Sequence, residues 1–385
     1  MKNKENTSEI LLNKEALIFN IDFLKAEMGP KVLISYVVKG NAYGHGIETY
    51  VPMAEECGVQ HISVFSADEA IRVKKCLKTN IPIMIMGYAS HSQLEWAIEN
   101  GIEFFVSELE RLKKAIEISK NLHKKCLIHI ELETGMNRTG INEATLKKEV
   151  FQLLENEKEH YILKGLCTHF AGAESIANFL RVQHQKNMFI RLKKVFEDKG
   201  FHSEYTHTCC SAAALRLKGM RFNMVRIGIL QYGFWPSQEI KMEYLIKKKL
   251  SMFHLQRVLT WKSQLISIKK VKMGQFIGYG NAYQAPEDME IGMVPVGYAN
   301  GYSRILSNSG HVLINGSRSL VLGNVNMNSL IIDLRNVENA TVGDEVILIG
   351  EDGKNEISVA SFGELSNQLN YELLTRLPID IPRLR

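Results

Sequence analysis

The feature that most constrains this chain of 385 residues is a rhythm. Over roughly its first 240 residues, short apolar, β-branched runs alternate with longer stretches of helical periodicity. The runs are Val32–Val38, His61–Phe65, Ile81–Met86, Ile102–Val106, Cys126–Leu132, Tyr161–Thr168, Ser203–Thr208 and Phe222–Ile227. Between them, Ala67–Leu77, Leu94–Glu99, Glu108–Ser119 and Glu174–Lys199 carry apolar residues at helical spacing. Eight such units match a (β/α)8 barrel of the TIM type better than a doubly wound sheet, and no GxGxxG turn follows the first run. From about Leu250 the rhythm changes: Thr260–Val271, Ile291–Val296, His311–Ile314, Ser319–Leu322, Ser329–Leu334 and Glu345–Ile349 follow one another without long helices. The fold class expected is therefore α/β: a barrel over residues 1–245, then a mostly β C-terminal domain over 246–385. Residues 1–12 are candidates to pair with that second domain.

Composition narrows the class of function. Apolar residues make up 45% and charged residues 23%, the balance of a globular protein that buries a core. The excess of 47 basic over 42 acidic residues is only +5. The runs Lys247-Lys248-Lys249 and Lys269-Lys270 are short and lack interleaved aromatics, so no nucleic-acid partner is expected. Apolar runs such as Ile81–Met86 fall far short of the ~18 residues of a membrane span, and no membrane partner is expected. The first residues lack the apolar core of a signal peptide. The six cysteines are scattered without CxxC or zinc-type spacing. A reduced, cytoplasmic protein without a metal fits these features best.

Chemistry in a barrel of this type gathers at the C-terminal ends of the strands. The first run ends at Lys39 and continues Gly40-Asn41-Ala42-Tyr43-Gly44-His45-Gly46. Beyond the fifth comes Thr134-Gly135-Met136-Asn137-Arg138, the sixth ends Thr168-His169-Phe170, the seventh leads to Ser211, and the eighth contains Arg226-Ile227-Gly228-Ile229. One mouth would thus hold a lysine, two arginines, a histidine and a serine, a set suited to an anion. Ser211 is expected to cap the helical run Ala212–Leu215, and Gly228 permits close backbone approach, as phosphate sites beyond strands seven and eight require. A lysine ringed by cations titrates low and can form a Schiff base with an aldehyde. A phosphate site beside such a lysine points to pyridoxal 5'-phosphate.

The stretch Val37–Gly46 resembles the cofactor-attachment motif of the alanine racemase family. Glu133–Gly140, Thr168–Ala171, Phe222–Gly228, Gly278-Tyr279-Gly280, Gly297–Gly301 and Asn324–Ser329 extend the similarity, in order, along nearly the whole chain. The resemblance implies a pyridoxal-phosphate enzyme of fold-type III: an isomerase that works as a head-to-tail homodimer and interconverts L- and D-alanine for peptidoglycan. It implies that Lys39 holds the cofactor and is the base for the D-side proton. Tyr279, contributed across subunits and assisted by His169, handles the L-side proton. Arg226 faces the pyridine nitrogen; Tyr43, Ser211 and the amides of Gly228 and Ile229 hold the phosphate. Arg138 and the backbone of Met327 bind the substrate carboxylate, and Tyr298 narrows the entry.

Several positions depart from the family pattern. Seven residues before Arg138, where many relatives carry a carbamylated lysine, stands Glu131, on the same strand face as Glu133. Glu131 is expected to orient Arg138 with its own carboxylate. Asn328 and Asn300 replace common aspartates, Cys210 replaces an asparagine, and Ile379 stands where some members have tyrosine. These changes keep both bases but alter the pocket, so the alternative function is a broad-specificity or serine-preferring racemase of the same family.

Overall fold

The structure, a computed structural model, describes residues 6–366 and 370–385. Residues 1–5 of the segment expected to pair with the β domain lie outside the described residues. The chain divides into two units, one formed by Glu15–Lys39 with Val51–Gln256 and the other by the segment through Lys14, Gly40–Tyr50 and Arg257–Arg385.

The first unit is the barrel. Its strands are Leu33–Val37, Ile62–Val64, Ile83–Ile85, Glu103–Val106, Cys126–Glu131, Tyr161–Cys167, Tyr205–His207 and Met224–Ile227. All eight lie inside the runs read from the sequence. They pair in parallel in chain order, and the last returns to the first with Leu33 opposite Met224 and Ser35 opposite Arg226. Between the seventh and eighth strands there is no ladder. The gap is bridged instead by Thr206 N–H to the Asn223 side-chain oxygen (2.7 Å) and Arg226 N–H to the Cys209 carbonyl (2.9 Å). The barrel is thus nearly closed.

Helices form where the sequence marks their ends. Ser66 caps Ala67–Cys76 by accepting the Glu69 N–H, with Asp68 and Glu69 in the first turn and Lys74 and Lys75 in the last, each sign complementing the helix dipole. Ser90 and Gln93 form a capping box for His91–Glu99. The expected helix 174–199 starts later, at Phe179, because Ser175 first caps a 3-10 turn over Ile176–Asn178. All six cysteines are free thiols, and among the described residues no helix is long and apolar enough to cross a membrane.

The second unit is mostly β. Its strands run in the spatial order Ser267–Val271, Met289–Val294, Leu330–Asp333, Ser317–Leu322, His311–Ile314, Glu345–Asp352, Leu259–Gln264, Ser8–Leu12 and Arg383–Leu384. Ser8–Leu12 lies antiparallel to Leu259–Gln264 and parallel to Arg383–Leu384. The single strand expected over Thr260–Val271 is in fact two. At Leu265 the backbone turns to exchange hydrogen bonds with Asp344 and Gly343, and from Ile266 onward it pairs with Met289–Val294 instead.

The segment after Lys39 also belongs to this unit. Gly40, Asn41 and Ala42 all take left-handed helical angles (φ 62, 55 and 55°), and Tyr43 continues at φ 51°. Left-handed turns cost L-residues roughly 1–2 kcal/mol each. The turn is held from both sides: His45 Nδ1 lies 3.0 Å from the carbonyls of Ala42 and Tyr43, and the Tyr43 ring packs on Tyr371.

Candidate active site

Lys39 follows directly on the first barrel strand. The carbonyl of Val37, two residues before it, accepts hydrogen bonds from Gln231 Nε2 and Tyr232 Oη, both at 3.0 Å, so the strand end is fixed where the lysine departs. Lys39 is open to solvent, yet the walls of the barrel mouth surround it. Loss of hydration lowers its pKa, and the charges of Arg138 and Arg226 lower it further, against an opposing pull from Glu69. His169 lies in the same field. Burial first, then Arg226, Arg138 and Lys39, depress it to about 3, so its ring is neutral. Gln185 from the helix Phe179–Asp198 locates His169 by donating to its carbonyl at 3.0 Å.

Arg226 is buried on the eighth strand. Its Nη2 donates to the Thr168 carbonyl at 2.8 Å and lies 3.5 Å from His169 Nδ1. Its Nη1 donates to the His207 carbonyl at 3.0 Å and to His207 Nδ1. The guanidinium also sits over the Phe105 ring. Among the described residues, Lys39, Arg138 and Arg226 form no ion pair with any carboxylate. Three cations at one mouth, none paired directly with a carboxylate, make an environment that favours an anion.

Ser211 differs from expectation. Cys210, half-buried, occupies the N-cap of the helix Ser211–Arg216, and Ser211 is its first residue. The hydroxyl of Ser211 instead accepts the N–H of Gly228 at 3.0 Å, joining the turn after strand seven to the turn after strand eight. Ile229 follows at the start of the short turn Ile229–Tyr232. Glu131 is buried at the mouth, but no ion pair joins it to Arg138, which is exposed. The Thr139 side chain is the neighbouring donor that favours its ionised form. Desolvation outweighs that donor and raises the pKa of Glu131, while Arg226 and Arg138 pull it down from a distance. The direct pairing expected for Glu131 is therefore not made; the shorter carboxylate stops at Thr139.

The remaining expected residues lie in the β-rich unit. Tyr43 is buried in the left-handed turn. Three loops of this unit are tied together: the Asn324 side chain donates to the Tyr279 carbonyl at 3.0 Å, Tyr298 N–H to Asn326 at 3.0 Å and Ala299 N–H to Met327 at 2.9 Å. Their side chains stay outside. Tyr279 is 75% exposed, Met327 56% and Tyr298 43%, an exposure unusual for large apolar groups on neighbouring loops.

Sequence reasoning did not assign a part to His61, Glu103, His129 and His207. They fill the barrel interior together with Ser35, Ser63 and Arg226, where layers of branched aliphatics are usual. The signal was present as polar residues inside otherwise apolar strand runs, but linking them required the closed barrel.

Fold and mouth together define a barrel protein with a basic site at the strand ends and a second, β-rich unit. The chain matches the family models for the alanine racemase N-terminal domain over residues 12–236 and the alanine racemase C-terminal domain over residues 258–385. It is 31% identical over 378 residues to an alanine racemase of Leptospira interrogans, covering 98% of this chain and 95% of that one. It is 33% identical over 369 residues to one from Clostridium perfringens, covering 95% and 92%. The crystal structure of the Bacillus anthracis alanine racemase with bound L-Ala-P superposes with a TM-score of 0.88 at 31% identity, covering 98% of this chain and 94% of that one. The chain belongs to the alanine racemase family and is an amino-acid racemase.

Proposed function

We propose that this protein interconverts L- and D-alanine with pyridoxal 5'-phosphate, as a homodimer in which Tyr279 of one subunit serves the barrel of the other. The observation that carries the reading is the convergence of Lys39, Arg138, His169 and Arg226 at one barrel mouth, where no carboxylate is paired directly with any of the three cations. That donor set fits the cofactor: an amine of lowered pKa for the aldehyde, a serine and two backbone amides for the phosphate, and a guanidinium for the ring nitrogen. Bound there, the cofactor would withdraw electrons from the substrate's α-carbon and make its proton acidic.

The chain's own residues supply the rest. Lys39 would hold the cofactor and, once the substrate's amine has taken its place there, its amine, whose pKa the surroundings lower, would take or return the proton on the D face. Tyr279 acts on the L face. A phenol is a poor base alone, and the neutral ring of His169 can accept its hydrogen bond. Arg226 directs N–H donors at the ring nitrogen, and since a guanidinium does not give up its proton, that nitrogen stays unprotonated. Ser211, Tyr43 and the amides of Gly228 and Ile229 bind the phosphate. Arg138 and the Met327 backbone bind the substrate carboxylate, and Tyr298 narrows the entry. The product would serve peptidoglycan synthesis in the cytoplasm. A second reading, a serine-preferring or broader racemase, draws on the half-buried thiol of Cys210 beside Ser211 and on Ile379, which is exposed and offers no polar contact.

Mixed dimers test the shared site. Lys39→Ala and Tyr279→Phe chains should each be nearly inactive alone and regain activity when unfolded together and refolded. No recovery would mean that each site is built within one chain.

A further inference from the structure

The interior of the barrel contains a hydrogen-bonded line of four residues that ends at Arg226. Glu103 Oε2 accepts from Nε2 of His129 at 2.8 Å and from Nε2 of His61 at 3.1 Å. His129 Nδ1 lies 2.8 Å from His207 Nε2, and His207 Nδ1 is bonded to Arg226 Nη1. We infer that Glu103 is a positioning residue for Arg226, acting through His129 and His207 to fix the one pattern of protons in which His207 offers a lone pair to the guanidinium.

The line can run in only one direction. An ionised carboxylate has no proton to give, so His129 must carry hydrogen on Nε2 and leave Nδ1 bare. His207 must then donate from Nε2, which leaves its Nδ1 bare for Arg226. A guanidinium has donors only, so the reverse arrangement would set N–H against N–H at Arg226 and a bare ring nitrogen against the carboxylate at Glu103. The charges agree with this order. Burial opposes ionisation of Glu103, but the two imidazole hydrogen bonds outweigh it and hold the carboxyl well below its usual range. Burial and neighbouring Arg226 keep His207 neutral, and burial does the same for His129 despite the pull of Glu103. Lys164, 3.6 Å from Oε1 of Glu103 and paired also with Glu204, supplies the compensating charge at the far end.

The fold makes room for this line at a cost. Gly165 stands opposite His129 on the adjacent strand, and a Cβ there would lie 1.9 Å from His129 Nδ1. Ser35 bonds His61 Nδ1 at 2.8 Å and pairs with Ser63, completing the side branch. A buried ionic network of this kind is seldom more stable than a well-packed apolar core. Its justification lies in what it holds, the orientation of Arg226.

The inference rests on the proposed role of Arg226 at the cofactor ring, and the test separates the two. In the cofactor-loaded wild type, 15N spectra of labelled histidine should place both His129 and His207 in the neutral form with hydrogen on Nε2. His129→Leu cuts the line. It should lower kcat by roughly tenfold to a hundredfold, the scale of a misplacement of about 1 Å, with KM little changed and the cofactor absorption band displaced. Glu103→Gln, which keeps shape and removes charge, should displace the His207 resonances and lower kcat in the same direction. A wild-type His207 with hydrogen on Nδ1, or folded variants that keep kcat and the cofactor spectrum, would overturn the inference. If the wild type does not racemise amino acids yet His129→Leu displaces the cofactor band, the line stands and the assigned activity falls. Should His129→Leu fail to fold, the wild-type spectra and Glu103→Gln still decide.

Discussion

The hydroxyl of Ser211 accepts the backbone N–H of Gly228 at 3.0 Å, so the turns after barrel strands seven and eight meet through one side chain. Both groups are candidate phosphate contacts: the hydroxyl keeps its own hydrogen for a phosphate oxygen, while the Gly228 N–H is engaged by Ser211 here and would have to turn to the phosphate. Ser211→Ala should therefore weaken cofactor binding through loss of the hydroxyl's contact. A hydrogen bond to a charged group contributes about 1.5–3 kcal/mol, which corresponds to a rise in Kd of roughly tenfold or more. Titration of the cofactor-free protein, followed by absorbance, reads this directly. An unchanged Kd would remove Ser211 from the phosphate site.

Glu131 faces the mouth but has the Thr139 side chain as its neighbouring donor and is not paired with Arg138. If its carboxylate does the work of a carbamylated lysine, it acts through the Thr139 loop and through space. Glu131→Ala should lower kcat/KM by about tenfold, the loss of one charge-assisted contact. Thr139→Val should produce a smaller loss of the same kind. Added bicarbonate should restore neither variant and should leave the wild type unaffected. A wild type that needs bicarbonate in CO2-free buffer would contradict this account.

The left-handed turn Gly40–Tyr43 predicts opposite effects at neighbouring positions. Ala42 sits at φ 55°, and Ala42→Gly should stabilise the protein by up to about 1 kcal/mol as that strain is relieved. At Gly44 a Cβ would lie 1.9 Å from the Leu374 carbonyl oxygen. Gly44→Ala should destabilise by about 3 kcal/mol or more, since neither backbone can yield. Thermal unfolding of both variants checks the pair. Equal and small shifts would mean that the turn is not under this strain.

Acid should weaken the fold in a defined window. His169 is neutral in the native state, its pKa lowered from 6.5 to about 3 by burial and then by Arg226. Below pH 6.5 the unfolded chain binds a proton that the folded chain refuses. The stability is therefore complete above that value and is lost as pH falls toward 3. His129 and His207 are displaced in the same direction. Urea unfolding between pH 7.5 and 5 should show falling stability, and His169→Asn should flatten the slope by up to one proton. A variant with the wild-type slope would show that His169 is protonated in the folded state.

The barrel was legible because its strands are buried on both sides and so read as continuous apolar runs. All eight were placed to within one or two residues at most ends. The lysine, arginines, histidine and serine of the mouth were legible because strand ends carry them in one register. Other features were not. Leu265 and Ile266 break Thr260–Val271 into two strands without a glycine or proline to mark the turn, because the change of partner is a tertiary event. The left-handed turn includes Ala42 and Tyr43, whose local preference is otherwise. Ser211 reads as a helix cap until Gly228 is placed beside it. The line from Glu103 to Arg226 joins residues 123 positions apart in sequence and exists only once the sheet has closed.

The central claim is that this racemase acts on alanine. Its most direct test is chiral analysis of L-alanine incubated with the cofactor-loaded protein, with L-serine, L-lysine and L-arginine in parallel. The account predicts that D-alanine forms much faster than any other D-amino acid, and that Lys39→Ala abolishes its formation. Serine or a basic amino acid racemised as fast as alanine would contradict it, and would assign to Cys210, Asn328 and Ile379 a reshaped pocket.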